Sequence, residues 1–222
     1  MPQGRKLERG LIILYDDRDI IVADKPAGLL SIASGTEKEK TAYWILSEYL
    51  RKKGEKRRPA VVHRLDRDTS GLMIFAKSDE IKRRLMSCWD ETVILRRYVA
   101  LVEGIMKEDE GVIDEPLGED RGGRMVVTKD GIRALTRWKL LRRGKNFSLL
   151  ELELDTGRRN QIRAHLFFMG HPVAGDRKYN AKTNPLKRLA LHAEKLSFHH
   201  PHDGRVMEFT SPVPQGFRNS CT

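Results

Sequence analysis

The sequence predicts an α+β fold with a mixed, largely antiparallel central sheet and flanking helices and loops. Three observations predict it. Short runs of branched apolar residues recur along the chain, only three stretches have helical periodicity, and turn-forming residues join several neighbouring runs. The 222 residues are enough for a substantial core, and we expect residues 1–222 to form a single domain.

The first half of the chain predicts a hairpin, two helices and a buried strand. Runs at 11–15 and 20–24 are separated by DDRD, which is typical of a hairpin, and KPAG at 25–28 then breaks the pattern. A helix is predicted at 41–51, with an apolar stripe formed by Ile45, Leu46, Tyr49 and Leu50. A strand follows at 72–76. Ser78 has the features of an N-cap. The helix that follows it has an apolar face formed by Ile81, Leu85 and Trp89.

The second half predicts mainly strands. They lie at 97–103, 124–128, 133–141, 150–154, 189–198 and 206–210. The KDG sequence at 129–131 predicts a hairpin turn between the second and third of these strands. Leucines alternate with acidic residues at 150–155, which indicates a half-buried strand with an acidic outer face. A helix is predicted at 159–169, and its inward face is formed by Ile162, Leu166 and Met169.

Charge gives the first indication of function. The chain has 42 lysines and arginines against 31 acidic residues, a net charge of +11. Such an excess favours a polyanionic partner, usually nucleic acid. The basic residues are clustered in RKKGEKRR at 51–58 and in GIRALTRWKLLRRGK at 131–145. Either cluster could be a solvated surface, but together they predict contacts with phosphates.

The rest of the composition narrows the class of protein. No apolar run approaches the ~18 residues needed to span a bilayer, and the first ten residues lack the apolar segment of a secretory signal. Cys88 and Cys221 match neither a disulfide framework nor a metal-ligand spacing. We therefore expect a cytoplasmic monomer that does not bind a membrane.

Residues 61–78, VVHRLDRDTSGLMIFAKS, carry the most informative pattern. Asp66 and Asp68 could form the D-x-D motif of a Mg²⁺-dependent phosphotransferase. That motif requires an apolar strand directly before its first Asp, and the arginines here would compete with the cation. A charged β-turn would explain Asp68 to Gly71, because these residue types favour turns. It leaves unexplained the basic pair and the carboxylate at 63–66.

The same stretch resembles the signature of the RluA-type pseudouridine synthases. Further segments are similar to that family: ILYDDRDIIVADKPAGLL, RRYVALVEG, RGGRMVVTKDGIRALTRWKLL, LELDTGRRNQIRAHLFFMGHPVAGDRKYN and RLALHAEKLSFHHP. The resemblance covers about residues 11–218 and implies a catalytic domain of that fold without an N-terminal S4-like module. The family often has His at the position of Asn160 and Gly at that of Asn180.

The resemblance implies that the chain isomerises uridine in RNA to pseudouridine, without a cofactor or a metal. It assigns catalysis to Asp66, to Arg163 as the charge partner of that carboxylate, and to Tyr98, whose ring would stack on the uracil. The target base would flip out of its stack, with Arg64 filling the gap. The expected RNA-binding residues are His63, Arg64, Arg67, Arg96, Arg159 and Leu191. The RNA could be a tRNA or a ribosomal stem-loop.

Some of these residues also have an ordinary structural interpretation. His63 could be a buried, hydrogen-bonded histidine, and Leu191 could belong to the core. Arg159 is expected one helical turn before Arg163 on the same face. A second hypothesis for the whole chain is a non-catalytic RNA-binding protein on the same fold. The combination of Asp66, Tyr98 and Arg163 disfavours it, because RNA binding gains nothing from a carboxylate.

Overall fold

The computed structural model describes residues 4–33 and 41–222, which group into two compact units. The first unit comprises residues 1–94 and 195–211, and the second comprises residues 95–194 and 212–222. The strands are β1 (Arg5–Lys6), β2 (Ile12–Asp16), β3 (Ile20–Lys25), β4 (Ala60–Val61), β5 (Ser70–Ala76), β6 (Val93–Glu103), β7 (Glu110–Asp114), β8 (Leu117–Glu119), β9 (Met125–Val127), β10 (Leu135–Arg143), β11 (Phe147–Leu154), β12 (Leu191–His199) and β13 (Val206–Thr210). The helices are α1 (Ala42–Lys52), α2 (Asp79–Ser87), α3 (Trp89–Thr92), α4 (Gln161–Phe168) and α5 (Gln215–Ser220). None of the described helices is long and apolar enough to cross a membrane.

The first unit is built on the antiparallel strands β1-β2-β3-β5 in that order. The predicted hairpin of β2 and β3 is confirmed, and β4 pairs with β5. The last five residues of β12 pair with β13. All seven residues of β5 are buried. The core packs side chains of β3 and β5 against α2 and the end of β12, among them Ile20, Ile74, Leu85 and Phe198.

The helices of the first unit begin where the sequence predicts. The Thr41 hydroxyl accepts a hydrogen bond from the Trp44 backbone N–H at 3.1 Å and caps α1. The Ser78 hydroxyl does the same for α2, with the N–H of Ile81 at 3.2 Å. These side chains satisfy backbone donors that have no partner within the helix. The second helix ends at Ser87, earlier than predicted, and Trp89 opens the short helix α3.

The second unit contains an antiparallel sheet in the order β6-β11-β10-β7 and a separate hairpin of β8 and β9. The predicted alternation in β11 is confirmed. Leu150 and Leu152 are buried, whereas Glu151 and Glu153 face outward and form ion pairs with Arg97 on β6. The α+β class with a largely antiparallel sheet, predicted from the sequence, is therefore confirmed.

The predicted hairpin between 124–128 and 133–141 is wrong. The KDG turn does form, with the Gly131 N–H bonded to the Thr128 carbonyl at 3.0 Å. After it, however, Ile132 pairs with Leu117, while β9 pairs with β8 and β10 pairs with β7 and β11. The turn signal is local, but the choice of strand partners depends on segments further away in the sequence.

Candidate active site

In the first unit, the predicted catalytic residue Asp66 opens a tight turn. The Thr69 N–H donates to the Asp66 carbonyl at 3.2 Å, so the four-residue turn starts two residues earlier than predicted. The Ser31 hydroxyl bonds to both backbone groups of the preceding residue: it accepts from the Leu65 N–H at 3.2 Å and donates to the Leu65 carbonyl at 2.7 Å. Leu65 is 5% exposed, which anchors the turn in the core. The backbone that presents the Asp66 side chain is therefore held on both sides.

The KPAG segment supports the same turn. The Arg67 carbonyl accepts hydrogen bonds from the Gly28 N–H at 2.9 Å and from the Lys25 ammonium at 3.0 Å. Lys25 is fully buried and also donates to the carbonyls of Pro26 and Leu29. A buried ammonium is tolerated only where its donors are satisfied, and three carbonyls do this here. Gly28 has φ of +83°, a conformation that favours glycine.

The basic residues around the turn differ in their surroundings. The Nε2 atom of His63 accepts a hydrogen bond from the Ile74 backbone N–H at 3.1 Å, and its ring lies 5.4 Å from that of Trp89. His63 therefore has a structural role in joining the turn to β5, and its predicted contact with RNA stays a prediction. Arg64 and Arg67 are both exposed, as a role in RNA binding requires.

In the second unit, Tyr98 lies on β6 opposite Leu152 and is 8% exposed. Two residues earlier, the Arg96 guanidinium donates to the Leu154 carbonyl at 3.1 Å. It also covers Gly157, where a Cβ atom would lie only 2.6 Å from Nη1 of Arg96. A side chain at position 157 would therefore displace this guanidinium from its present position. Leu191, at the start of β12, is 4% exposed. This burial is compatible both with a core residue and with the predicted contact with RNA.

Arg163 on α4 is held by a second carboxylate. Its Nε and Nη2 atoms donate to the two oxygens of Asp176 at 2.6 and 2.8 Å, a bidentate geometry. The side chain of Asp176 is 1% exposed and that of Arg163 is 13% exposed. The guanidinium also lies 5.2 Å from the ring of Tyr179, whose backbone N–H donates to Asp176. These contacts fix the plane of the guanidinium.

A buried polar network fixes α4 itself. The amide of Gln161 donates to the Leu135 carbonyl and to the Thr136 hydroxyl, and its oxygen accepts from the Thr156 hydroxyl. One turn later, His165 bonds to the same Thr136 hydroxyl at 2.9 Å. The network ties the first turn of the helix to β10. It therefore sets the position from which Arg163 extends.

The placement predicted for Arg159 is wrong. Asn160 has φ of +51°, a left-handed conformation that precedes the helix, so α4 begins only at Gln161. Arg159 consequently lies outside the helix. Its guanidinium forms an ion pair with Glu119 at 2.9 Å and donates to the Gly123 carbonyl at 3.1 Å. It braces the hairpin of β8 and β9, and its contact with RNA stays a prediction.

Three residues that support the predicted catalytic residues were not predicted from the sequence: Lys25 in the first unit, and Gln161 and Asp176 in the second. Each lies within a segment that resembles the family, but none has a local pattern that indicates its role. Asx and amide side chains beside turns are usually read as turn formers. Their function follows here from burial and from partners elsewhere in the chain. Among the described residues, no group of three or more His, Cys, Asp or Glu side chains could hold a metal ion.

Comparison with known proteins places the chain in a family. A sequence model described as RNA pseudouridylate synthase matches residues 19–167, a range that includes Asp66, Tyr98 and Arg163. The uncharacterized RNA pseudouridine synthase YlyB of Bacillus subtilis is 39% identical over 218 residues, which cover 92% of this chain and 70% of that protein. The ribosomal large subunit pseudouridine synthase D of Nitrosomonas europaea is 37% identical over 216 residues. There the match covers 92% of this chain but only 62% of the relative.

Solved structures agree with this placement. The human protein RNA pseudouridylate synthase domain containing 4 has a TM-score of 0.75 and 25% identity, with 94% of this chain and 90% of that chain covered. The human domain containing 1 protein has a TM-score of 0.72 and 26% identity, with 91% and 83% covered. The fold and the matched segments thus define an isomerase that acts on RNA. The chain belongs to the RluA-type family of RNA pseudouridylate synthases.

Proposed function

We propose that Asp66 is the catalytic carboxylate of this pseudouridine synthase and that its substrate is a uridine in a structured RNA. The observation that carries the proposal is the support of its turn: Ser31 holds the peptide before Asp66, and Lys25 and Gly28 hold the carbonyl after it. A reacting group gains most when its geometry is set before the substrate binds. The neighbouring carboxylate of Asp68 is exposed, and we assign it to the turn alone.

The reaction rearranges bonds within one nucleotide. The bond between ribose C1′ and uracil N1 breaks, the uracil turns, and a bond forms between C1′ and C5. The hydrogen on C5 is lost and N1 gains one, so atoms and electrons balance without an oxidant or a reductant. One carboxylate at the junction of sugar and base is sufficient for this chemistry. Activity in the presence of EDTA would test whether a metal is needed.

Arg163 and Tyr98 are the proposed companions of Asp66. The resemblance makes the Arg163 guanidinium the charge partner of Asp66, and two short bonds to Asp176 fix the plane of that guanidinium. A guanidinium beside a partly desolvated carboxylate keeps it ionised. The ring of Tyr98 offers a flat surface for the uracil. The base must leave its stack to reach these groups, and exposed Arg64 can fill the gap.

The RNA is either a tRNA or a ribosomal stem-loop. The name of the Nitrosomonas relative makes a ribosomal stem-loop the first candidate to test. Pseudouridine mapping across total RNA from cells with and without the gene would identify the target. A monomeric state and a cytoplasmic location stay predictions from the sequence.

The decisive experiment compares Asp66→Asn with Asp68→Asn. Both changes remove one negative charge, two residues apart on the same turn. We expect Asp66→Asn to abolish pseudouridine formation while RNA binding in a filter assay persists, and Asp68→Asn to stay close to wild type. Full activity of Asp66→Asn would refute the assignment. A wild-type protein that binds RNA but forms no pseudouridine would instead support the non-catalytic hypothesis.

A further inference from the structure

Two grooves adjoin on the surface of the first unit, and Lys53 lines both. The larger, of about 500 Å³, lies between the β2–β3 turn and the loop after α1. The smaller, of about 310 Å³, lies between α1 and the segment around β1, with half-buried Trp44 in its wall. We call them the basic grooves because cations outnumber acids in both. The cations are Arg5, Lys6, Arg18, Lys52, Lys53, Lys56, Arg57 and Lys77, and the acids are Glu8, Asp16, Asp17, Glu48 and Glu55.

Two of the three acidic residues of the larger groove, Asp16 and Glu55, are neutralised from within. Asp16 accepts hydrogen bonds from Lys53 at 2.8 Å and from Lys77 at 2.9 Å, and Glu55 forms ion pairs with the same two lysines. Burial alone would raise the pKa of Asp16, but these bonds and one from Tyr49 outweigh it and lower the pKa. The side chain of Lys77 is only 3% exposed. These charges therefore form the floor of the groove and do not repel an anion above it.

The outer cations have no such partners. Within residues 4–33 and 41–222, no carboxylate lies within ion-pair distance of Arg18, Lys52 or Lys56, and all three side chains are exposed. Arg57 donates to the Arg18 carbonyl at 2.8 Å, which fastens the basic loop to the β2–β3 turn. Lys52 lies in the last turn of α1 and interacts favourably with the helix dipole, which accounts for one of these charges. This interaction does not explain Arg18 or Lys56, which lie outside the helix.

The second basic cluster, at 131–145, has a different environment. Arg133, Arg137 and Arg143 form ion pairs with Asp114, Asp155 and Asp109, respectively. The adjoining groove, of about 360 Å³, is lined by Glu110, Glu151 and Glu153 against Arg137 and Lys139. Three acids and two cations line this groove, so it is less suited to a phosphate chain than the basic grooves, in which cations outnumber acids. The sequence treats the two clusters alike, whereas the structure distinguishes them.

We propose that the basic grooves bind phosphates of the substrate RNA outside the target nucleotide. The inference rests on the proposed function and names the surface that such an RNA would use. Phosphate contacts supply binding that does not depend on sequence and set the register of the RNA. Because Asp66 belongs to the same unit as the grooves, a strand held there is tethered to the part of the protein that carries the proposed catalyst.

The test compares two triple variants of the full chain. One is Arg18→Gln, Lys52→Gln and Lys56→Gln, in the basic grooves. The matched control is Lys139→Gln, Arg142→Gln and Lys145→Gln, in the second cluster. Each removes three exposed cations that have no ion-pair partner among the described residues. Binding of a fluorescein-labelled RNA hairpin with no uridine in its loop is measured between 50 and 200 mM NaCl, so no turnover interferes.

The slope of log affinity against log salt is negative, and each lost phosphate contact reduces its magnitude by about 0.7–0.9. If three contacts are lost, the affinity of the groove variant should fall about 20- to 40-fold less over this fourfold range of salt than the affinity of wild type. The control variant should match wild type. Equal slopes in all three proteins, or an equal loss in both variants, would overturn the proposal. So would a groove variant that loses binding only to phosphatidylglycerol vesicles. A wild-type protein that forms no pseudouridine would refute the proposed function instead, whatever the slopes.

Discussion

The bond between Asp176 and Arg163 allows a sharp test of how the site is organised. Asp176→Asn keeps the size of the side chain but removes its charge and replaces one carboxylate oxygen with an amide nitrogen, which cannot accept a hydrogen bond. Because Asp176 is buried, we do not expect it to touch RNA, and any effect on catalysis should act through Arg163. Asp176 is thus a positioning residue in this hypothesis.

The structure allows the size of the effect to be estimated. Two short bonds, of 2.6 and 2.8 Å, hold the guanidinium, and the amide can accept only one of them. A hydrogen bond to a charged group contributes about 1.5–3 kcal/mol. If that energy is lost from the positioning of Arg163 in the transition state, kcat falls about 10- to 150-fold, since each 1.36 kcal/mol is about tenfold. KM should change little, because the RNA surface is intact.

The assay measures single-turnover pseudouridine formation for Asp176→Asn, for Arg163→Gln and for the double variant. If Asp176 acts through Arg163, the losses of the two single variants will not add in the double variant. Asp155→Asn is the matched control, since it breaks a bidentate carboxylate–arginine pair with exposed Arg137. Thermal unfolding verifies that each variant is folded. Wild-type kcat in folded Asp176→Asn, or additive losses, would refute the reasoning.

Two further predictions concern buried ionisable groups. Lys25→Met leaves three carbonyl acceptors without their ammonium, and we expect a loss of about 2–4 kcal/mol in urea unfolding together with reduced kcat, because the turn of Asp66 loosens; unchanged stability and rate would contradict this. Burial lowers the pKa of His165 below its ordinary value near 6.5, so the unfolded chain takes up a proton that the folded chain does not. Stability should therefore be complete above about pH 6.5 and fall below it, and urea titrations at about pH 5.5 and 7.5 should show a weaker dependence in His165→Gln.

Local patterns predicted the elements whose signals are local. The cap at Ser78, the hairpin of β2 and β3, and the alternation in β11 all follow from neighbouring residues. Four short strands, β1, β4, β7 and β8, were missed because they are brief or carry polar residues. The left-handed Asn180, at φ of +58°, explains why the family often has glycine at that position. The same conformation at Asn160 shortened the predicted helix.

The sequence by itself determined the family and the fold class, because motifs and periodicity are properties of short segments. Only the tertiary structure decided what supports that site. Lys25 reaches a carbonyl 42 residues away, and Asp176 holds an arginine on a different element. It also decided which basic cluster lines grooves with an excess of cations, since acids outnumber cations in the groove beside 131–145. Contacts of this kind depend on which segments pack together, and no local pattern records that choice.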